Sequence, residues 1–244
     1  MHRFYAPGFP DDGVFALPQD EAHHLARVLR LRAGDTIAVF DGRGREAVAQ
    51  LETVSAKRVS ANVVEPRAAA AEPRVAVTLA QALLKSDKMD RVIRDGVMLG
   101  VTAIQPFVSR RADVPLKAVK SGGRQDRWDR TVISSVKQCG RAVVPVVHQT
   151  KDFHELVTAM SAEMRLMLVE PAARGSPIAL TSLEGHMPSS AIVFVGPEGG
   201  WDEQELKDAA SAGVQLLSFG GRVLRADAAA AALIPVLRYI WRDL

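Results

Sequence analysis

A glycine-rich turn in the last third of the chain carries the residues with the clearest chemical potential. The apolar run from Ala191 to Val195 ends in Gly196-Pro197-Glu198-Gly199-Gly200, and acids follow at Asp202, Glu203 and Glu205. A strand, a glycine turn and a helix often bind phosphate, because backbone N–H groups at the helix start face the anion. This turn has neither the lysine and hydroxyl of a P-loop nor the glycine spacing of a dinucleotide site.

The acids after the turn also argue against a polyphosphate ligand. Asp202 and Glu205 have the spacing of a capping box, so their own carboxylates satisfy the start of the helix. A phosphate at this position would meet negative charge. A neutral or cationic small molecule suits the turn better.

Two further strand ends add small residues and charged groups. The strand after the acidic helix ends at Gly220-Gly221; Arg222 and Arg225 then flank two apolar residues, and a helix capped by Asp227 is predicted. An earlier strand ends at Glu170-Pro171-Ala172-Ala173. Three such ends at one sheet edge would form a pocket of backbone groups suited to adenine and ribose edges. Ordinary turns between strands and helices are the alternative.

Length and composition indicate a globular protein. The chain of 244 residues is long enough for one large or two modest domains. Its single cysteine, Cys139, excludes an intrachain disulfide and fits a reducing cytoplasm. The first residues lack the pattern of an export signal, and the uncharged run from Ala228 to Leu237 is too short for a bilayer. We therefore expect a cytoplasmic protein with no membrane partner.

The charge is unevenly distributed along the chain. Residues 73–150 carry fourteen Lys and Arg against six Asp, whereas residues 151–244 carry eight basic and twelve acidic residues. A middle third this basic favours a polyanionic partner. A solvated basic surface explains the same charge equally well.

The hydrophobic pattern divides the chain at the Ala- and Pro-bounded segment 65–73. Residues 1–72 show a short helix and several short strands joined by tight turns, which predicts a small β-barrel domain. Residues 73–244 alternate strands and helices, which predicts an α/β domain with a mainly parallel sheet. One of these helices is expected to start at caps Ser86 and Asp87 and to end at Gly100. Adjacent histidines in a helix diverge by about 100°, so no metal site is predicted at His23 and His24.

Two motifs in this order are similar to a known family. The segments "VGPEGGWDEQEL" and "LSFGGRVLRADAAAAAL" resemble the paired signature of the SPOUT methyltransferases, and more narrowly the 16S ribosomal RNA uridine-N3 methyltransferases of the RsmE type. The segment "HHLARVLRLRAGDTIAVFDG" resembles that family's N-terminal PUA-like barrel. The resemblance implies S-adenosyl-L-methionine as cofactor, a C-terminal trefoil knot, a homodimer and 16S ribosomal RNA as partner, within the small ribosomal subunit.

The resemblance assigns cofactor-binding residues by position. They come from the three strand ends described above: Glu170, Pro171, Val195, Gly196, Pro197, Glu198, Gly199, Gly200, Leu217, Ser218, Phe219, Gly220, Val223 and Leu224.

Methylation of uridine N3 requires loss of the N3 proton, which leaves charge on both uracil carbonyl oxygens. A planar, permanently charged guanidinium is suited to this anion. Arg225 is the first candidate for stabilising this anion and Arg222 is the second. Asp227 is a candidate proton acceptor. Alternatively, one of the arginines pairs with an acid such as Glu198, and Asp227 acts only as a helix cap.

The target base must be unpaired or extruded from its helix to react. Basic residues from both domains are candidates for contacts with the RNA backbone: Arg27, Arg30, Arg32, Lys85, Lys88, Arg110, Arg111, Lys137 and Arg141. Several residues depart from the family pattern: Met98, Lys137, Gly221, Ala226 and Ala228. The missing hydroxyls at residues 226 and 228 leave open a catalytically silent RNA-binding or assembly protein of the same fold. A nucleotide enzyme on an ordinary doubly wound sheet is a third alternative, which the absent lysine and fingerprint glycines disfavour.

Overall fold

The computed structural model describes residues 1–55, 58–85, 87–112, 123–171, 173 and 176–244. These residues form two compact units. The first comprises Met1–Glu72 with Ile133–Val144, and the second comprises Pro73–Val132 with Pro145–Leu244. The predicted division after residue 72 lies at the end of the first segment, and the structure adds residues 133–144 to the first unit.

The first unit is built on a five-stranded sheet. Its elements are β1 (Arg3–Tyr5), β2 (Gly13–Ala16), α1 (Gln19–His23) with a π-helical turn (His24–Leu29), β3 (Thr36–Phe40), β4 (Glu46–Val54) and β5 (Val59–Arg67). The strand order is β1-β3-β4-β5-β2; β1 is parallel to β3 and the other pairs are antiparallel. The hydrogen-bonded path ends at β1 and β2, so closure into a barrel stays a prediction.

The β3–β4 hairpin shows how local sequence shapes this unit. The Asp41 carboxylate accepts hydrogen bonds from the backbone N–H groups of Arg43 and Arg45, at 2.7 and 3.1 Å. Gly42 between them has φ +81°, and a Cβ there would lie 2.8 Å from the Tyr5 ring. Only glycine meets both conditions without strain.

The second unit contains a parallel sheet, as the alternation of strands and helices predicted. Its strands are β6 (Ala76–Ala82), β7 (Ala103–Val108), β8 (Val146–Val147), β9 (Lys151–Asp152), β10 (Met164–Val169), β11 (Ile178–Ala179), β12 (Ser190–Val195) and β13 (Gln215–Ser218). The order is β11-β13-β10-β12-β6-β7-β8, with β9 also paired to β7, and the pairs among the described strands are parallel. The central strands are buried along nearly their whole length, as expected when helices cover both faces.

The helices begin and end close to their sequence signals. They are α2 (Lys88–Met98), α3 (Arg124–Cys139), α4 (Phe153–Ala159), α5 (Glu203–Ser211) and α6 (Ala226–Ile240). The predicted capping box is present at α5, where the Asp202 and Glu205 side chains each accept from the backbone of the first turn. Gly100 ends the turn after α2 with φ +83°. Asp87 precedes α2 without a side-chain capping bond, and Ser86 lies outside the described residues.

Helices α2 and α6 pack against each other, and a buried ion pair fixes their far ends. The Arg238 guanidinium donates to the Leu99 carbonyl at 3.1 Å and to the Asp243 carboxylate at 2.6 Å. Asp243 also accepts from the backbone N–H groups of Arg74 and Val75, just before β6. These hydrogen bonds of Arg238 and Asp243, here called the Arg238–Asp243 clasp, fix the relative position of α2 and α6. The opposite ends of the two helices reach the pocket described below. No helix among the described residues combines the length and apolar character needed to cross a membrane.

Candidate active site

A pocket of about 430 Å³ lies at the carboxyl ends of β10, β12 and β13. The segments after these strands are the three small-residue turns predicted to form one site. Twelve of the predicted cofactor-binding and catalytic residues line it: Glu170, Val195, Gly196, Pro197, Glu198, Gly200, Phe219, Arg222, Val223, Leu224, Arg225 and Asp227. Five predicted cofactor-binding residues are not among its lining residues: Pro171, Gly199, Leu217, Ser218 and Gly220. Ala172 of the third turn lies outside the described residues.

Trp201 is a pocket residue that the sequence reasoning missed. Its indole Nε1 donates to the Leu168 carbonyl at 2.8 Å, and its ring stacks on Phe107 with centroids 5.9 Å apart and planes 7° apart. The indole is therefore held from two sides while it lines the pocket. An aromatic residue directly after Gly199-Gly200 was the available signal. Leu168, Val169, Ala226 and Ala229 also line the pocket, and their sequence context gave no comparable signal.

The glycines of the turn leave little room for side chains. A Cβ on Gly196 would lie 3.0 Å from Cε2 of Trp201, and one on Gly199 would lie 3.0 Å from the backbone oxygen of Arg111. Gly200 has φ +70°, which L side chains rarely adopt. A side chain at any of these three glycines would be crowded or strained, so the turn presents main chain to the pocket.

Arg225 and Asp227 form a bidentate ion pair at the pocket. The guanidinium Nε and one Nη donate to the two Asp227 carboxylate oxygens, both at 3.0 Å. Arg91 of α2 adds a second cation 3.7 Å from Asp227. The hydrogen bond from Arg225 is the main cause that lowers the pKa of Asp227, and the same bond raises the pKa of Arg225.

This pair corrects the prediction that Asp227 caps the helix. Arg225 occupies the N-cap position of α6 and no side chain makes a capping bond, while Asp227 lies within the first turn. The expectation that an arginine pairs with an acid is met, but its partner is Asp227. Glu198 is engaged elsewhere.

Lys88 contacts Glu198 across the pocket. Its Nζ donates to Glu198 Oε1 at 2.9 Å, and both side chains are 31% exposed. Partial burial acts to raise the pKa of Glu198, but hydrogen bonds from Lys88 and from backbone N–H groups bring the pKa below its ordinary value. The structure thus places Lys88, predicted as an RNA contact, in the pocket wall. The lining contains three cationic and three carboxylate side chains: Lys88, Arg222, Arg225, Glu170, Glu198 and Asp227.

Glu205 joins the glycine turn to the basic loop after β7. Its carboxylate, only 1% exposed, accepts from the backbone N–H groups of Asp202 and Arg110 at 3.0 Å and from the Ser109 hydroxyl at 3.1 Å. Arg110 and Arg111 are exposed, with guanidinium groups 4.0 and 3.7 Å from Asp202. These two predicted RNA contacts therefore lie next to the pocket turn.

The other predicted RNA contacts differ in availability. The N-terminal arginines, Arg27, Arg30 and Arg32, are exposed, and so is Lys85. Lys137 donates to Glu21 at 2.7 Å and lies over the Phe4 ring. Arg141 is buried, and its Nε donates to Glu72 at 3.0 Å. The charges of Lys137 and Arg141 are thus engaged within the first unit, and an RNA role for any of these residues stays a prediction.

Comparison with known proteins decides the family. Residues 71–238 match the model of an RNA methyltransferase domain, and residues 17–64 match the model of an RNA methyltransferase PUA domain. The chain belongs to the ribosomal RNA small subunit methyltransferase E family. This assignment confirms the resemblance seen in the two glycine motifs.

Individual relatives match over most of their length. A crystal structure of a ribosomal RNA small subunit methyltransferase E from Neisseria gonorrhoeae bound to S-adenosyl methionine is 36% identical, with a TM-score of 0.88, covering 99% of this chain and 98% of that one. The enzymes of the same name from Synechocystis and Bacillus subtilis are 32% and 29% identical. Those alignments cover 88% and 93% of this chain, and 69% and 90% of the relatives.

Proposed function

We propose that this chain transfers a methyl group from S-adenosyl-L-methionine to N3 of a uridine in 16S ribosomal RNA. The substrate to be tested is this RNA, either free or within the small ribosomal subunit. The observation that carries the proposal is an arginine held by a carboxylate at the mouth of a pocket walled by glycine main chain. The family assignment supports RNA methylation, and the Neisseria gonorrhoeae relative supports the cofactor.

The pocket residues fit S-adenosylmethionine. Gly196 and Gly200 present main chain where a Cβ would be crowded or strained, which leaves room for a flat adenosine against the turn. Val195, Phe219 and Leu224 supply apolar wall, and Glu198 and Asp227 supply negative charge. When bound, the cofactor supplies a methyl group on a positively charged sulfur, which makes the methyl carbon open to nucleophilic attack.

The protein's main task is to align the base and to favour its anion. N3 loses its proton, and its lone pair forms the new bond to the methyl carbon while the electron pair of the broken carbon–sulfur bond stays on sulfur. Arg225 faces the uracil and stabilises the charge that spreads onto a carbonyl oxygen. Positioning of this kind accounts for a large share of the rate in reactions between two bound groups.

Asp227 is assigned a positioning role. Because Arg225 lowers its pKa, the carboxylate stays ionised at neutral pH and is a weak proton acceptor. Its two hydrogen bonds instead fix the plane of the guanidinium. The N3 proton therefore leaves to solvent, and the rate is expected to rise with pH until N3 is largely ionised.

The test is methylation of small-subunit ribosomal RNA, naked or in subunits, followed by mass mapping of nucleosides. We expect a 3-methyluridine at one position, and a loss of roughly 100-fold or more in kcat for Arg225→Gln with cofactor affinity retained. Methyl groups on carbon 5 or on a ribose would contradict the proposal. Arg222→Gln is the comparison variant, since Arg222 lines the same pocket and is the second choice for the same role; a larger loss in Arg222→Gln than in Arg225→Gln would assign the role to Arg222.

A second candidate is a silent RNA-binding protein of the same fold. Ala226 and Ala228 favour it, because both depart from the family pattern by the loss of a hydroxyl, as the sequence resemblance indicates. Calorimetry separates the two: the silent protein gives no heat with S-adenosylmethionine, whereas the enzyme binds it and turns it over.

We also propose the finer architecture that the resemblance implies: a trefoil knot around residues 196–225, a homodimer and work in the cytoplasm on ribosomal RNA. Because β10 lies between β12 and β13, the loops after these two strands approach the pocket from either side of β10. Tyr239 on α6 and Met98 on α2 are 72% and 40% exposed on helices that pack together, which favours a partner surface there. Light scattering of the wild-type chain and of Tyr239→Glu tests the dimer.

A further inference from the structure

Two ion pairs from different parts of the chain meet at the pocket. Arg225 enters with the loop before α6 and is held by Asp227, whereas Lys88 is the first residue of α2 and is held by Glu198. Lys88 therefore supplies a positive charge from a segment unrelated to the loop that carries both arginines.

Two cations that reach the pocket from different segments are suited to the anion of the acceptor base. Uracil N3 lies between two carbonyl carbons, so the anion that forms on loss of its proton is shared between two oxygens on opposite sides of N3. One guanidinium cannot bind both oxygens and leave N3 open between them. A second cation from another direction completes the site, and among the described lining residues Lys88 alone is a cation outside the loop of Arg222 and Arg225.

The position of Lys88 is fixed by its neighbours, and its side chain is accessible from the pocket. Its Nζ is fixed by Glu198, yet nearly a third of its side chain remains exposed at the pocket. Met89, next in the helix, is buried at 2% exposure and anchors this end of α2. Since a lysine ammonium has three donors, the bond to Glu198 leaves two for a substrate oxygen.

We infer that Lys88 is a second catalytic cation, which contacts one carbonyl oxygen of the target uracil while Arg225 contacts the other. This inference rests on the proposed uridine-N3 activity. The two cations lower the free energy of the N3 anion. The cation that faces O4 also selects uridine over cytidine, because cytosine carries an amino donor at carbon 4 where uracil carries an oxygen, and a donor facing a donor is left unpaired.

The test uses Lys88→Met, which keeps the length of the side chain and removes its charge, with Arg94→Met as control. Arg94 lies on the same helix, is half-exposed and pairs with Asp95, so its loss changes the helix charge without touching the pocket. RNA carrying 5-fluorouridine at the target position is the second substrate, because fluorine makes N3 easier to ionise and reduces the need for a stabilising cation.

We expect Lys88→Met to lose roughly 100-fold in kcat on the uridine RNA, the cost typical of one lost donor to a developing anion, and about tenfold or less on the fluorinated RNA. Arg94→Met should match the wild type on both. Cofactor affinity, followed by calorimetry, should be unchanged in either variant.

An equal loss on both RNAs would overturn the inference, because anion stabilisation would then not be what was removed. A fall in cofactor affinity large enough to explain the rate would overturn it too and would assign Lys88 to the donor. A wild-type chain that methylates no uridine would contradict the proposed function and the inference with it, whereas an active wild type with either result above contradicts the inference alone.

Discussion

Gly196→Ala is a sensitive probe of the glycine turn. Gly196 lies outside the left-handed region of φ, so alanine adds a Cβ without backbone strain. That Cβ would lie 3.0 and 3.1 Å from Cε2 and Nε1 of Trp201, tighter than most real contacts of a Cβ, so the indole would have to shift by a few tenths of an ångström. The indole cannot retreat freely, since it is bonded to Leu168 and stacked on Phe107.

The cost follows from that restraint. Overpacking a well-packed site by one methyl group costs about 1–3 kcal/mol, and a displaced indole would also weaken its bond to Leu168. Because a displaced indole also changes the pocket wall, we expect S-adenosylmethionine affinity to fall as well, by at most the same free energy, which corresponds to a factor of about 5 to 150. Thermal unfolding should show that the fold persists.

The assay is calorimetric titration, with quenching of intrinsic tryptophan fluorescence as an independent signal. Gly221→Ala is the matched control, because Gly221 has an ordinary φ and nothing within 4 Å of an added Cβ; it should bind as the wild type does. Adding Trp201→Phe to Gly196→Ala removes the crowded indole nitrogen and should restore part of the affinity. Wild-type affinity in Gly196→Ala would refute the argument that the turn and the indole together shape the site.

Three further predictions concern separate parts of the molecule. Changing all three N-terminal arginines, Arg27, Arg30 and Arg32, to glutamine should weaken RNA binding at low salt. It should also reduce the slope of log K against log salt by about 2, since each phosphate contact in single-stranded RNA contributes about 0.7. An unchanged slope in filter-binding assays would exclude these arginines from the RNA-binding surface. Asp243→Ala leaves the buried Arg238 without its carboxylate and should lower the free energy of unfolding in urea by about 3–5 kcal/mol, with an effect below 1 kcal/mol arguing against the clasp. Because Asp227 has a lowered pKa, its ion pair stabilises the fold fully at pH values above the ordinary carboxylate pKa, and this stabilisation is lost as the pH falls through the lowered pKa. The difference in Tm between the wild type and Asp227→Asn should therefore be larger at pH 7 than at pH 3. A difference in Tm that does not depend on pH would refute the pairing.

Local signals predicted the local structure well. The spacing of Asp202 and Glu205 predicted a capping box because both partners lie within one helical turn, and the structure confirms it. The alternation of apolar runs and helical segments predicted the parallel sheet for a similar reason. The order of strands within that sheet was beyond reach, since it depends on packing between segments far apart in sequence.

The ion-pair partners of the charged residues in the site were not predicted from the sequence. Asp227 follows the loop and invited a capping role, but Arg225, two residues earlier, takes the N-cap position and binds its carboxylate. Lys88 looked like one basic residue among many, because nothing near it in sequence reveals that Glu198 lies 2.9 Å away. Arg141 was a candidate for contact with RNA and is buried against Glu72. For Lys88 and Arg141 the deciding partner is far away in sequence and is set by tertiary structure, whereas the partner of Asp227 is a local one.

The equal numbers of cationic and carboxylate side chains around the pocket have a consequence for how the molecule handles its two ligands. A lining without net charge binds S-adenosylmethionine mainly by shape and main-chain contacts, and such contacts are hardly screened by ions. A phosphate backbone held by exposed arginines is released as ionic strength rises. Moderate potassium chloride should therefore wash RNA from the protein while the small molecule stays bound, which gives a practical route to the binary complex.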